Sequence, residues 1–226
     1  MFKSIKTGVI AAILISTTIV AYAQKKLTEG ALTYTATYDP TSEQEAMVAQ
    51  MPKETKTKFN GNLLTTSFES GPATIKVIMD FSTQNNLVLI DVPIAQMQFA
   101  VKGDKASMEK DKADNPKLSD FKATGEKQTI NGYNTEKYTY KDSKGASYEL
   151  WATNDIELPA GFFGPEFKDV KGVLVKYTNF MQGGLKATLT LKSVSDEKVG
   201  ALSLEVPKGY DLKTMEEIRA MQGGGE

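Results

Sequence analysis

The tightest constraint on this chain is a hydrophobic period of two residues that returns along most of its length. In residues 30–38, Leu32, Tyr34, Ala36 and Tyr38 alternate with Thr33, Thr35 and Thr37, the pattern of a strand with one buried face. Residues 73–81 repeat it with Ile75, Val77, Met79 and Phe81 inward, and Ala95, Met97, Phe99 and Val101 oppose Gln96 and Gln98. Further on, Val173, Val175, Tyr177 and Met181 form one inward set and Leu185, Ala187, Leu189 and Leu191 another. Residues 87–92 are apolar but for Asp91 and read as covered on both sides.

Turn chemistry separates these runs. Asn60-Gly61 and Asn131-Gly132 supply the positive φ angles of tight hairpins, and Gln182-Gly183-Gly184 joins two alternating strands. After Asp39-Pro40, Thr41 or Ser42 offers an N-cap for a short helix carrying Ala46, Met47, Val48 and Met51. Residues 102–127 are rich in charges of both signs and read as a solvated excursion with a partial helix. Residues 154–168, with Pro159, Gly161, Gly164 and Pro165 around Phe162 and Phe163, read as an ordered loop. A strand over 202–206 and a helix over 212–221 close the chain. The order predicts a mainly β protein: one strongly curved antiparallel sheet of roughly eleven strands with short covering helices. A closed barrel and a two-sheet sandwich meet the same demand.

Residues 1–23 have the layout of a secretory signal peptide: Lys3 and Lys6, an apolar run over 9–20, then Ala21-Tyr22-Ala23. The run is shorter than the ~20 residues a spanning helix needs. Cleavage before Gln24 would release residues 24–226 as one domain into the periplasm or beyond, and not as an integral membrane protein. With no cysteine after the run, bacterial-type lipidation has no acceptor.

Composition removes whole classes of chemistry. The chain has no cysteine and no histidine, which excludes disulfides, thiol nucleophiles, Ser-His-Asp machinery and zinc held by Cys or His. A net charge of −1 gives no electrostatic case for nucleic acid. Arg219 is the only arginine. The carboxylates Asp155, Glu157, Glu166 and Asp169 share a Gly/Pro-rich stretch, but an acid–base role would require burial that nothing marks, and no calcium-loop spacing appears. No enzyme activity, cofactor or metal is expected.

Ile130-Asn131-Gly132-Tyr133, Thr135-Glu136-Lys137-Tyr138, Glu149-Leu150-Trp151-Ala152-Thr153 and Val206-Pro207-Lys208-Gly209-Tyr210 together resemble a family of secreted bacterial proteins with an uncharacterised domain, distantly similar to the LolA-like lipoprotein-sorting superfamily. Residues 164–175, with Lys171-Gly172-Val173-Leu174-Val175, loosely resemble the GLPGLI-named secreted family. The resemblance implies an incomplete barrel, a half-barrel whose concave apolar face is partly covered by helices and shields acyl chains. The lid-holding arginine of the lipoprotein-sorting chaperone has no counterpart within this chain's strands.

The candidate ligand-binding face is Ile75, Val77, Met79, Phe81, Met97, Phe99, Val175, Tyr177, Leu189 and Leu191. Unbranched methionine repacks easily around exchangeable ligands. Two readings follow: a carrier for a lipid or lipoprotein acyl chain, or an envelope module with a packed core that docks another protein. Trp151 with Tyr138, Tyr140 and Tyr148 could form an aromatic platform or cap a core edge.

Overall fold

The computed structural model describes residues 24–49, 51–113, 115–181 and 184–223; the expected leader lies outside them. The elements in chain order are β1 (Lys25–Lys26), β2 (Glu29–Asp39), α1 (Glu45–Val48), β3 (Glu54–Asn60), β4 (Leu63–Ser70), β5 (Ala73–Asp80), β6 (Asn85–Val92), β7 (Met97–Gly103), α2 (Lys105–Asp111), β8 (Leu118–Ile130), β9 (Tyr133–Asp142), β10 (Ser147–Thr153), β11 (Ile156–Glu157), β12 (Val173–Phe180), β13 (Lys186–Ser195), β14 (Asp211–Lys213) and α3 (Met215–Gly223).

Twelve of the strands form one sheet in the order β14-β7-β6-β5-β4-β3-β2-β13-β12-β10-β9-β8. The mainly β expectation holds, with three corrections. The sheet is open and not strongly curled, since β14 and β8 end it without meeting. It is mixed, because β14 runs parallel to β7 while the other neighbours are antiparallel. Finally, β1 and β11 pair in parallel outside it, where Leu27 and Ile156 join the central core.

Both hairpins form at their Asn-Gly pairs, with Gly61 and Gly132 at positive φ. The N-cap of α1 is Gln44, not Thr41 or Ser42, and its side chain makes no cap bond. The charged excursion divides into α2 and the long edge strand β8, which is mostly exposed and pairs with β9. Charge on an edge strand discourages further pairing, so polarity here marks an edge and not a loop.

Two long connections cross the sheet on opposite faces. Residues 104–117, containing α2, run from β7 to β8. Residues 196–210 return over the other face as an irregular strap, so the strand expected at 202–206 is absent. Its alternating Leu204 and Val206, with Tyr210, pack on Ile78, Leu87, Leu89 and Ala100. Where the strap leaves β13, a Cβ on Gly30 would sit 2.3 Å from the Ser195 carbonyl oxygen, and Gly30 has φ +153°, so only glycine fits.

Candidate functional site

Register decides which side chains share a face. Directly paired residues align Phe68, Ile75, Ile90 and Phe99 in one row across β4–β7. Thr66, Val77, Val88 and Val101 form the next row, and Leu64 and Met79 begin a third. On the reverse face Leu87, Leu89 and Ala100 are sealed by the strap. On this face Phe68, Ile75, Val77, Val88, Ile90 and Phe99 stay half-buried. The expectation that residues 87–92 are covered on both sides is therefore corrected: one face of β6 is only partly covered, with Val101 buried at the end of the second row. At the hairpin tip between β6 and β7, Ile94 is 87% and Met97 50% exposed.

The same face continues through β3, β2, β13 and β12, where the chain fills it. The loop after β11 sends Phe162 and Phe163 onto the cluster of Leu32, Tyr34, Phe59, Val175 and Leu191. Phe167 packs with Tyr140, Leu150 and Leu174 and meets Tyr177 at 5.6 Å between ring centroids. Phe162 bridges Phe59 and Phe81 at 5.3 and 5.7 Å. The Tyr34 hydroxyl donates to the Leu174 carbonyl at 2.6 Å. Burial pushes the Tyr34 and Tyr177 phenols far above their ordinary range, so both stay neutral.

The ten sequence-predicted residues therefore divide. Val175 and Leu191 are fully buried core, and Phe81 is buried against Phe162. Tyr177, Leu189 and Met79 line a groove of about 390 Å3 between the loop and the sheet, together with Tyr38, Leu64 and Phe68. Ile75, Val77, Phe99 and Met97 belong to the open half of the face. Reading by periodicity missed Phe68, Val88 and Ile90, whose only signal is their register with residues already chosen.

Helix α2 stands at the Met79, Val88 and Val101 end of this face. A cavity of about 650 Å3 is lined by Met79 and Phe81 from the sheet side, Met108 and Lys112 from the crossover, and Glu166 from the loop. Asp104 caps α2 by accepting from the Ser107 backbone N–H at 2.9 Å, and the Asp104 N–H donates to Ser107 Oγ at 2.8 Å. Beyond the helix, Lys112 pairs with Glu166 at 3.2 Å and the Asn115 amide donates to the Phe180 carbonyl at 3.0 Å. Met108 is half-buried, while the other residues of α2 whose side chains are described are exposed. The crossover is held at two points past its helix and lightly between.

The other candidate groups are dispersed. Asp155 accepts from the Asn134 backbone N–H, Glu157 pairs with Lys26, and Glu166 pairs with Lys112. Among the described residues no group of three or more His, Cys, Asp or Glu could hold a metal ion. Tyr138, Tyr140 and Tyr148 face the core with Leu150, whereas Trp151 turns to the other face, where Lys137 Nζ lies 5.8 Å from its ring centroid. One aromatic platform combining them does not form. Among the described residues no helix is long and apolar enough to cross a membrane.

No curated protein matches the chain. Residues 29–210, from the first long strand to the end of the strap, match a family model described as a domain of unknown function, DUF4412. That span is most of the sequence, and it includes the open face, the aromatic loop and both crossovers: the chain belongs to the DUF4412 family.

Proposed function

We propose that the protein is a non-enzymatic carrier that binds an apolar ligand, a lipid or lipoprotein acyl chain, on the open face of β4–β7 beneath α2. The leader-like N-terminus supports a place in the periplasm or the secreted fraction. The observation that carries the reading is the row Phe68–Ile75–Ile90–Phe99, four large apolar side chains in register and half-buried. Contiguous apolar surface of this kind marks a binding site more often than a bare surface.

Dimensions support it. From Met97 to Val101 along β7 is about 14 Å at ~3.4 Å per residue. An acyl chain in one leaflet extends about 15 Å, half of a ~30 Å hydrocarbon core. Each methylene taken from water contributes about 0.8 kcal/mol, so even a partly shielded chain gains enough to bind.

The half-barrel form and the LolA-like relationship are part of the same proposal. Ten strand spacings separate β7 from β8 in the sheet order, about 48 Å if laid flat at ~4.8 Å each. Residues 104–117, half of them helical, reach about 38 Å at most. A moderate bend or twist toward α2 closes that gap and makes the face a trough.

The test is organic extraction of the gently purified protein followed by mass spectrometry, with titration of Nile red into the emptied protein. A co-purifying amphiphile and saturable dye binding that Phe99→Asp abolishes are expected. An empty protein that binds no dye would overturn the reading.

A further inference from the structure

We infer that the ligand is an anionic amphiphile, its tail along the open face and its charged head in the cavity between the start of α2 and α3. The inference rests on the carrier reading and adds the chemical class of the ligand.

This cavity, of about 600 Å3, has Val88 and Val101 on its sheet side, so its floor continues the second apolar row without a break. Leu212 and Met215 add apolar surface from the α3 side, and most of the remaining lining is polar. Lys110, Lys213 and Arg219 border it, against Glu216 and Glu217, and Lys102, whose register partner Leu87 lies on the strap face, borders it at the edge. None of the four cations is in an ion pair among the described residues, whereas nine other lysines are. Glu217 is occupied within α3's own first turn, accepting from the Thr214 backbone N–H at 2.7 Å and its hydroxyl at 3.1 Å. Lys213 adds a weaker attraction to the same carboxylate. The surplus at the cavity is positive, and Arg219 brings the chain's only guanidinium, a planar fork suited to carboxylate or phosphate.

Polarity along the strands gives the direction. At the opposite end of β6 and β7, residues 91–99 contain Asp91 and no lysine, and present the exposed Ile94 and Met97. Cations at one end and bare hydrocarbon at the other match an amphiphile aligned with the strands. The seven residues from Met97 to Gly103 span about 20 Å. A tail of about 15 Å starting near Met97 therefore ends where the cations begin.

The experiment measures displacement of Nile red from the purified protein by hexadecanoate, by hexadecanol and by butanoate. Hexadecanoate is expected to bind about tenfold more tightly than hexadecanol at low salt, the yield of a few exposed charge contacts. That advantage should shrink near 1 M salt, where screening acts within about 3 Å. Butanoate should not compete, which separates an amphiphile's head from a free small anion. The double variant Lys110→Ala/Arg219→Ala changes two exposed helix residues. It should erase the acid's advantage and leave hexadecanol binding and the circular dichroism spectrum unchanged. Equal binding of acid and alcohol, or an advantage that survives the double variant, would overturn the headgroup site while the carrier reading stands. If neither long-chain probe displaces the dye, the carrier reading falls and this inference with it.

Discussion

The ring of Phe162 meets that of Phe59 edge-on, with centroids 5.3 Å apart and planes at 80°. One residue from a loop and one from β3 thus mark the boundary between the filled and the open halves of a single face. Phe162 also touches Phe81 and Phe163, so it acts as the protein's own occupant of that space. Phe162→Ala is expected to cost about 2–3 kcal/mol by urea unfolding, below the ~3–5 of a fully buried phenylalanine because the ring is partly exposed. It should also join the loop-side groove to the open face and raise Nile red capacity. A loss of dye binding instead would make Phe162 a wall of the site and not its plug.

Leu87 and Phe99 separate the two faces of the same pair of strands. Leu87 is fully buried beneath the strap, while Phe99 lies half-buried on the open side. Leu87→Ala should cost about 2–4 kcal/mol of stability and leave ligand affinity unchanged. Phe99→Asp should cost about 1 kcal/mol or less and abolish binding. Paired urea melts and dye titrations check both. A large stability loss for Phe99→Asp would mean that this face is packed core.

Alternation made β2, β5, β12 and β13 legible, because a half-buried strand must place one residue in two on the core. The same signal failed where cover comes from distant chain. Residues 87–92 offer hydrocarbon to both sides, and only the strap, arriving more than a hundred residues later, determines that Leu87 and Leu89 are sealed while Val88 and Ile90 are not. Leu204 and Val206 alternate like a strand, yet an extended segment lying flat on a sheet face satisfies that pattern without any ladder. β8 was hidden by its charge, since an edge strand with little core to cover carries polar residues on both faces. The candidate site was half visible for a related reason. Periodicity says which way Ile75 and Phe99 point, but their adjacency to Phe68 and Ile90 is a property of register. The shift between Trp151 and Ala152 is likewise a backbone irregularity with no mark in the residue types.

Glu197 fastens the strap to the sheet. Its carboxylate accepts from Lys56 at 2.7 Å, Lys58 at 3.2 Å and the Ser195 hydroxyl at 3.0 Å. These contacts, Lys56 foremost, lower its pKa from the ordinary 4.5 to about 2. A carboxyl depressed on folding lends stability that is complete above its unfolded value and is lost as pH falls toward the folded one. The strap's attachment should therefore weaken between about pH 4.5 and pH 2, read as increased proteolysis or amide exchange over residues 196–210. Glu197→Gln should remove this pH dependence and leave the strap equally loose at neutral pH. An identical acid profile in the variant would assign the transition to other carboxylates.

Under the carrier proposal, the capping pair at the start of α2 sets how readily the face is uncovered. Asp104 and Ser107 satisfy each other's backbone N–H groups, and the carboxyl of Asp104 is held below its usual range chiefly by the Ser107 N–H. Little else supports the helix: an exposed Lys105–Glu109 pair at 3.8 Å and the half-buried Met108. Losing an N-cap of this type costs about 1 kcal/mol, roughly a fivefold change in a local opening equilibrium. Asp104→Ala should speed amide exchange across residues 105–111 by about that factor while the global unfolding midpoint hardly moves. Ligand association and release should both quicken, because the tethers at Lys112 and Asn115 remain and keep the segment over the face. If exchange in α2 is unchanged, the helix is secured by packing and does not act as a cover that opens. If the global midpoint falls with the local exchange, α2 unfolds with the sheet as one cooperative unit, and a ligand must enter from the Met97 end instead.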